Sequence, residues 1–86
     1  MVVGKAETRK MREKIGRQLR QARLEAGLSQ VTVAAEVGMA STYLSEVESG
    51  YKNITLDTLA GIATFLDLDV EVVLSPKRKP KRTPRE

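Results

Sequence analysis

Apolar side chains in the first third of the chain recur at the period of a helix. Met11, Ile15, Leu19, Ala22 and Ala26 stand four or three residues apart, and no proline interrupts the stretch from Arg9 to Glu25. The pattern predicts an amphipathic helix that stops near Gly27, because glycine tolerates the left-handed conformation at a helix C-terminus. Ser29 has the character of an N-cap for a second, shorter helix, with Val33, Ala34 and Val37 facing inward and Gln30, Thr32 and Glu36 in solvent. Gly38 ends that helix. A third begins at Ala40 or Ser41, turns Leu44 and Val47 inward and stops at Gly50. After a loop from Tyr51 to Ile54, Thr55 caps a fourth helix whose apolar stripe is Leu56, Leu59, Ile62, Ala63 and Leu66, with Asp57 placed favourably in its first turn.

Beyond Asp67 the period changes from that of a helix to that of a strand. Leu68, Val70, Val72 and Leu74 alternate with Asp69, Glu71 and Val73, and the stretch is rich in β-branched residues. A lone strand in a helical chain leaves its backbone groups unpaired, so the simplest partner is the same segment of a second molecule. Residues 68–74 are therefore expected to be a dimerisation strand; a fifth short helix, or an extended segment lying on the core, is the competing expectation. The last stretch, SPKRKPKRTPRE, holds all 3 prolines and no large apolar anchor, which predicts a basic, disordered tail over 75–86. The organisation expected is a flexible 1–8, a helical domain over 9–67, the strand 68–74 and the tail. Its fold class is all-α, four to five compact helices with a C-terminal β-strand paired across a dimer.

Composition narrows what such a domain can do. A chain of 86 residues has room for one small domain, and chains of this size bury only roughly 60% of the surface they expose when unfolded. There is no cysteine and no histidine, which excludes disulfides and thiolate metal sites and removes the usual general base. The inventory points away from an enzyme, and no cofactor or metal is expected. The opening residues MVVGKAETRKMREK lack the apolar run of a signal peptide, and no stretch approaches the roughly 20 apolar residues of a membrane span. A cytoplasmic protein without a membrane partner is the expectation.

The net charge of +4 conceals three zones. Residues 1–27 carry 8 Lys or Arg against 3 Glu, residues 28–74 carry Lys52 against 7 acids, and residues 75–86 carry 6 basic side chains against Glu86. The basic character thus lies at the two ends. Such runs are either solvated surface or contacts to phosphate, and phosphate neutralisation supplies most non-specific affinity for DNA.

Two short helices joined by a tight turn leave one side of the second helix packed and the other in solvent. Ala34 is small where the helices approach, Gly38 permits the turn, and Leu44 and Val47 bury the inner side. With these features in this order, the segment IGRQLRQARLEAGLSQVTVAAEVGMASTYLSEVESGYKNITLDTLAGIATFL resembles the phage-repressor and Cro-like (XRE) helix-turn-helix family over roughly residues 15–66. The resemblance rests on Arg23 within RQAR, Gly27-Leu28-Ser29-Gln30, Ala34, Gly38, Glu48-Ser49-Gly50, Leu59 and Ala63. It implies a partly buried Arg23–Glu48 salt bridge and double-stranded DNA as partner. It also implies that Gln30, at the start of helix 2, contacts a phosphate, although the side chain could instead help cap its own helix. Ser41, Thr42, Tyr43, Ser45 and Glu46 lie on the outer part of helix 3, and the resemblance brings Ser41, Thr42 and Glu46 nearest to base edges. None is Arg, Lys, Asn or Gln, so the strongest bidentate base contacts are missing and shape readout has room to contribute. Glu46 either accepts from a cytosine amino group or is a solvent residue that repels phosphate. Lys52 and Asn53 match positions at which the family touches the DNA backbone.

The segment LDVEVVL followed by a basic tail is similar to antitoxins of the HipB type, whose dimers form through a shared two-stranded sheet. That resemblance implies an autorepressor on a palindromic operator, with a toxin kinase as a further partner. The alternatives are a stand-alone phage-like or restriction-controller regulator and, from a different class, a protein-binding module whose acidic middle zone sequesters a basic partner.

Overall fold

A computed structural model describes residues 5–76. Four helices follow one another: α1 (Lys5–Glu25), α2 (Gln30–Val37), α3 (Ser41–Ser49) and α4 (Leu56–Phe65). Helix α1 packs on α3, and α2 packs on both α3 and α4. The core is a single cluster of Leu19, Val33, Ala34, Leu44, Val47 and Ile62. Among the larger side chains, Val33 and Leu44 are completely shielded from solvent. Ile15, Leu28, Val37, Met39, Tyr43, Ile54, Leu59 and Leu66 close over this cluster from its edges.

Capping accounts for most of the element boundaries. Ser29 accepts a hydrogen bond from the Thr32 amide at the start of α2, and Thr55 accepts one from the Thr58 amide at the start of α4 (both 3.0 Å). Helix α1 departs from expectation by starting at Lys5, a full turn before Arg9. The core is reached on α1 only from Ile15 and Leu19 onward, so Met11, expected on the buried face, is 59% exposed. Leu56, expected in the stripe of α4, is 73% exposed, since burial along α4 begins only at Thr58 and Leu59.

Residues 68–76 form neither helix nor strand in the single chain. The expected strand at 68–74 is therefore not observed, nor is a fifth helix. Asp67 takes a left-handed φ of 62°, and the Leu68 amide donates back to the Ala63 carbonyl (2.8 Å), which closes the end of α4. The chain then passes the edge of a groove floored by Ile15, Leu19, Leu59 and Ala63. It meets no second extended segment among the described residues, and a strand without a ladder partner has no hydrogen bonds to define it. The parts expected at residues 1–4 and 77–86 lie outside the described residues.

Candidate nucleic-acid interface

The turn between α2 and α3 follows from Gly38. Its backbone is left-handed (φ 79°, ψ 36°), its amide reaches the Ala34 and Ala35 carbonyls, and the Met39 amide donates to the Ala34 carbonyl at 2.9 Å. A side chain at this position would be strained by that backbone. With the turn closed in this way, α3 buries Leu44 and Val47 against α2 and α1, and its opposite side is left to solvent.

The orientation of α3 is held at its C-terminal end by a buried ionic cluster. Arg23 Nε donates to Glu48 Oε2 (2.7 Å) and Arg23 Nη2 to Glu48 Oε1 (3.0 Å), a bidentate pair in which both residues are buried. Arg23 Nη1 donates to the Leu28 carbonyl at 2.8 Å. The guanidinium is held above its ordinary pKa, first by the hydrogen bond to Glu48 and then by its charge, with burial opposing both. A raised cationic pKa contributes stability that is lost only as pH rises through it, so the tie holds throughout the neutral range. Leaving one partner of such a pair uncompensated costs about 3–5 kcal/mol. Gln30 joins the cluster: its Nε2 donates to Glu48 Oε1 at 2.9 Å. Ser29, not Gln30, caps α2, and the Gln30 amide instead links the start of α2 to the end of α3.

On the outer side of α3, Thr42 and Ser45 are exposed, while Ser41 and Glu46 are half-buried at its edges. Tyr43 is turned the other way. Its ring packs against the core and its hydroxyl donates to the Asn53 carbonyl at 3.0 Å, so it fastens the following loop to α3. Lys52 Nζ lies 3.9 Å from Glu46 Oε1, an exposed pair of small energetic value that moderates the negative charge on this face. Asn53 is exposed on the same loop.

Two residues that the sequence pattern passed over complete the arrangement. Gly16 lies where α1 crosses the end of α3, and a Cβ there would overlap the carbonyl oxygens of Val47 and Glu48, at 2.5 Å from the former. Arg12, one turn earlier, donates from Nε to the Gly50 carbonyl (3.0 Å) and from Nη1 to Asn53 Oδ1 (3.2 Å). Both belong to the row 12, 16, 19, 23 along α1, so the helical period carried the signal; a glycine in mid-helix was its visible mark.

The scaffold has counterparts among known proteins. A helix-turn-helix family model matches residues 19–73, spanning α2, α3 and α4. The chain belongs to the helix-turn-helix family of the XRE type. This helix-turn-helix chain is similar to the ImmF control region 10 kDa protein of Bacillus phage phi105, with 36% identity over 71% of this chain and 68% of that one. It is also similar to the uncharacterized HTH-type transcriptional regulator y4dL of Sinorhizobium fredii, with 38% identity over 77% of this chain, and it spans 33% of that protein's length. Among solved structures, the restriction-modification controller protein C.AhdI from Aeromonas hydrophila superimposes with a TM-score of 0.67 at 37% identity, covering 70% of this chain and 91% of that one. Family membership gives the class of function: a DNA-binding regulator of transcription. No helix among the described residues is long and apolar enough to cross a membrane.

Proposed function

We propose that this chain is a dimeric repressor that reads a palindromic operator with α3. The observation that carries the reading is the presentation of α3. Its inner side is locked by Leu44, Val47 and the Arg23–Glu48–Gln30 cluster, while Thr42 and Ser45 stand free beside Ser41 and Glu46. Rigid support behind a short polar face is what sequence readout in the major groove requires. In this reading Ser41, Thr42, Ser45 and Glu46 face base edges, and Gln30, Lys52 and Asn53 contact phosphates. Tyr43 contributes through the loop it fastens.

Residues 68–74 supply the dimer contact. Val72, Val73 and Leu74 are 71%, 74% and 92% exposed, three consecutive apolar side chains in solvent. Similarity to a phage control-region protein and a restriction-modification controller favours a stand-alone cytoplasmic regulator over an antitoxin that holds a toxin kinase.

Selection of bound duplexes from a random pool tests the whole reading. Recovered sites are expected to contain inverted half-sites about 10 base pairs apart, one helical turn of DNA. Thr42→Ala should change the bases selected within each half-site, and Lys52→Gln should weaken binding to all sites alike. A pool that shows no enrichment would exclude sequence-specific DNA recognition.

A further inference from the structure

The family match begins at Leu19, so the first two thirds of α1 lie outside it. There the row that carries Gly16, Leu19 and Arg23 into the body continues outward as Arg12 and Arg9: where no core remains to cover, the row becomes cationic. We propose that Arg9 and Arg12 form a second backbone-binding ridge, contacting DNA phosphates next to those reached by Lys52 and Asn53. The inference rests on the DNA-binding reading above and extends it to a segment outside the matched domain.

Three features carry it. First, Arg12 is pre-oriented: its hydrogen bonds to the Gly50 carbonyl and to Asn53 Oδ1 engage Nε and Nη1, and among the described residues the two N–H groups of Nη2 have no partner and can donate to a phosphate. Second, the same contact orients Asn53. A guanidinium can only donate, so the amide oxygen faces Arg12 and the amide nitrogen is turned away as a further donor. Third, the ridge is continuous with the loop. Arg12 touches Asn53 directly, Lys52 precedes it, and Arg9 stands exposed about 4.5 Å further along the helix axis. Glu13, packed beside Gly50, and Glu46, beside Lys52, are the acids that flank this strip. Lys10, Lys14 and Arg17 belong to the opposite side of α1 and supply an internal control.

The test is the salt dependence of binding by the full chain to a labelled random-sequence duplex, followed by fluorescence anisotropy. Arg9→Gln and Arg12→Gln should each lower the slope of log K against log salt by about 0.9 for every bound chain, whereas Lys10→Gln/Lys14→Gln should leave it near wild type. Arg12 also ties α3 to its loop, so Arg9→Gln, whose side chain makes no hydrogen bond among the described residues, reads the ridge without a folding contribution. A wild-type slope in both arginine variants, or an equal loss in the opposite-face variant, overturns the ridge. If Lys52→Gln still lowers the slope in that case, the ridge alone has failed; a flat slope in the wild type removes the DNA-binding reading with it.

Discussion

At the scale of single residues, the two helix-interior glycines separate packing from propensity. Gly16 lies against backbone carbonyls of α3, which cannot rotate away as a side chain can, whereas a Cβ on Gly61 in α4 meets nothing within 4 Å. Alanine is favoured over glycine inside a helix by about 1 kcal/mol, so Gly61→Ala should stabilise the domain by roughly 0.5–1 kcal/mol. In Gly16→Ala the same gain is outweighed by overpacking that forces α1 off α3, for a net loss of about 1–2 kcal/mol. Urea denaturation of the two variants should move the midpoint in opposite directions; a shift in the same direction would mean that α1 and α3 are not in close approach. The contrast also marks what was legible. Arg23 and Glu48 stood out because the family resemblance pairs them, and their bridge is present at 2.7 Å. The role of Gly16 depends on which helix passes over it, and the neighbours of a residue 32 positions from Glu48 are not written in its local pattern. The partner of Gln30, a carboxylate 18 residues away, becomes visible only once α2 and α3 are placed.

At the scale of elements, period and caps were enough to find all four helices, because capping is local chemistry. Ser29, Gly38, Gly50 and Thr55 end or begin helices where their backbone and side-chain preferences put them. Errors arose where an apolar pattern outran the core: Met11 and Leu56 have the right spacing but no surface opposite them. Helix α3 is the weakest in local terms. Its N-cap is Ala40, at φ −73° and ψ 144°, and no side chain there receives the first free amides. Ala40→Ser, in a backbone conformation that already suits a cap, should add roughly 0.5–1 kcal/mol without altering the core. Thermal melting monitored by circular dichroism checks this. An unchanged or lower Tm would show that the first turn of α3 is satisfied by other means. Such a cap also competes with any phosphate that approaches the same amides.

For the whole molecule, residues 68–74 hold apolar side chains that one chain leaves in solvent. The alternating pattern there was legible, but a strand is a property of a pair, and the described residues of one chain offer no second strand. Two copies would provide each other's ladder and cover the apolar side chains that one copy leaves in solvent. Val72 and Leu74 touch little of their own chain, being 71% and 92% exposed, so replacing both with lysine costs the isolated domain almost nothing. Placed in a pair, the same four lysines face one another across a shared strand, where like charges are destabilising. Val72→Lys/Leu74→Lys should therefore sediment as a monomer with the helical circular dichroism of the wild type, and its affinity for a two-half-site operator should fall while affinity for a single half-site is kept. Avidity from linking two modules is typically 100-fold or more, roughly the loss expected at the full operator. A double-lysine variant that remains a dimer would place the contact elsewhere on the domain and leave the exposed 72–74 run without a role in assembly.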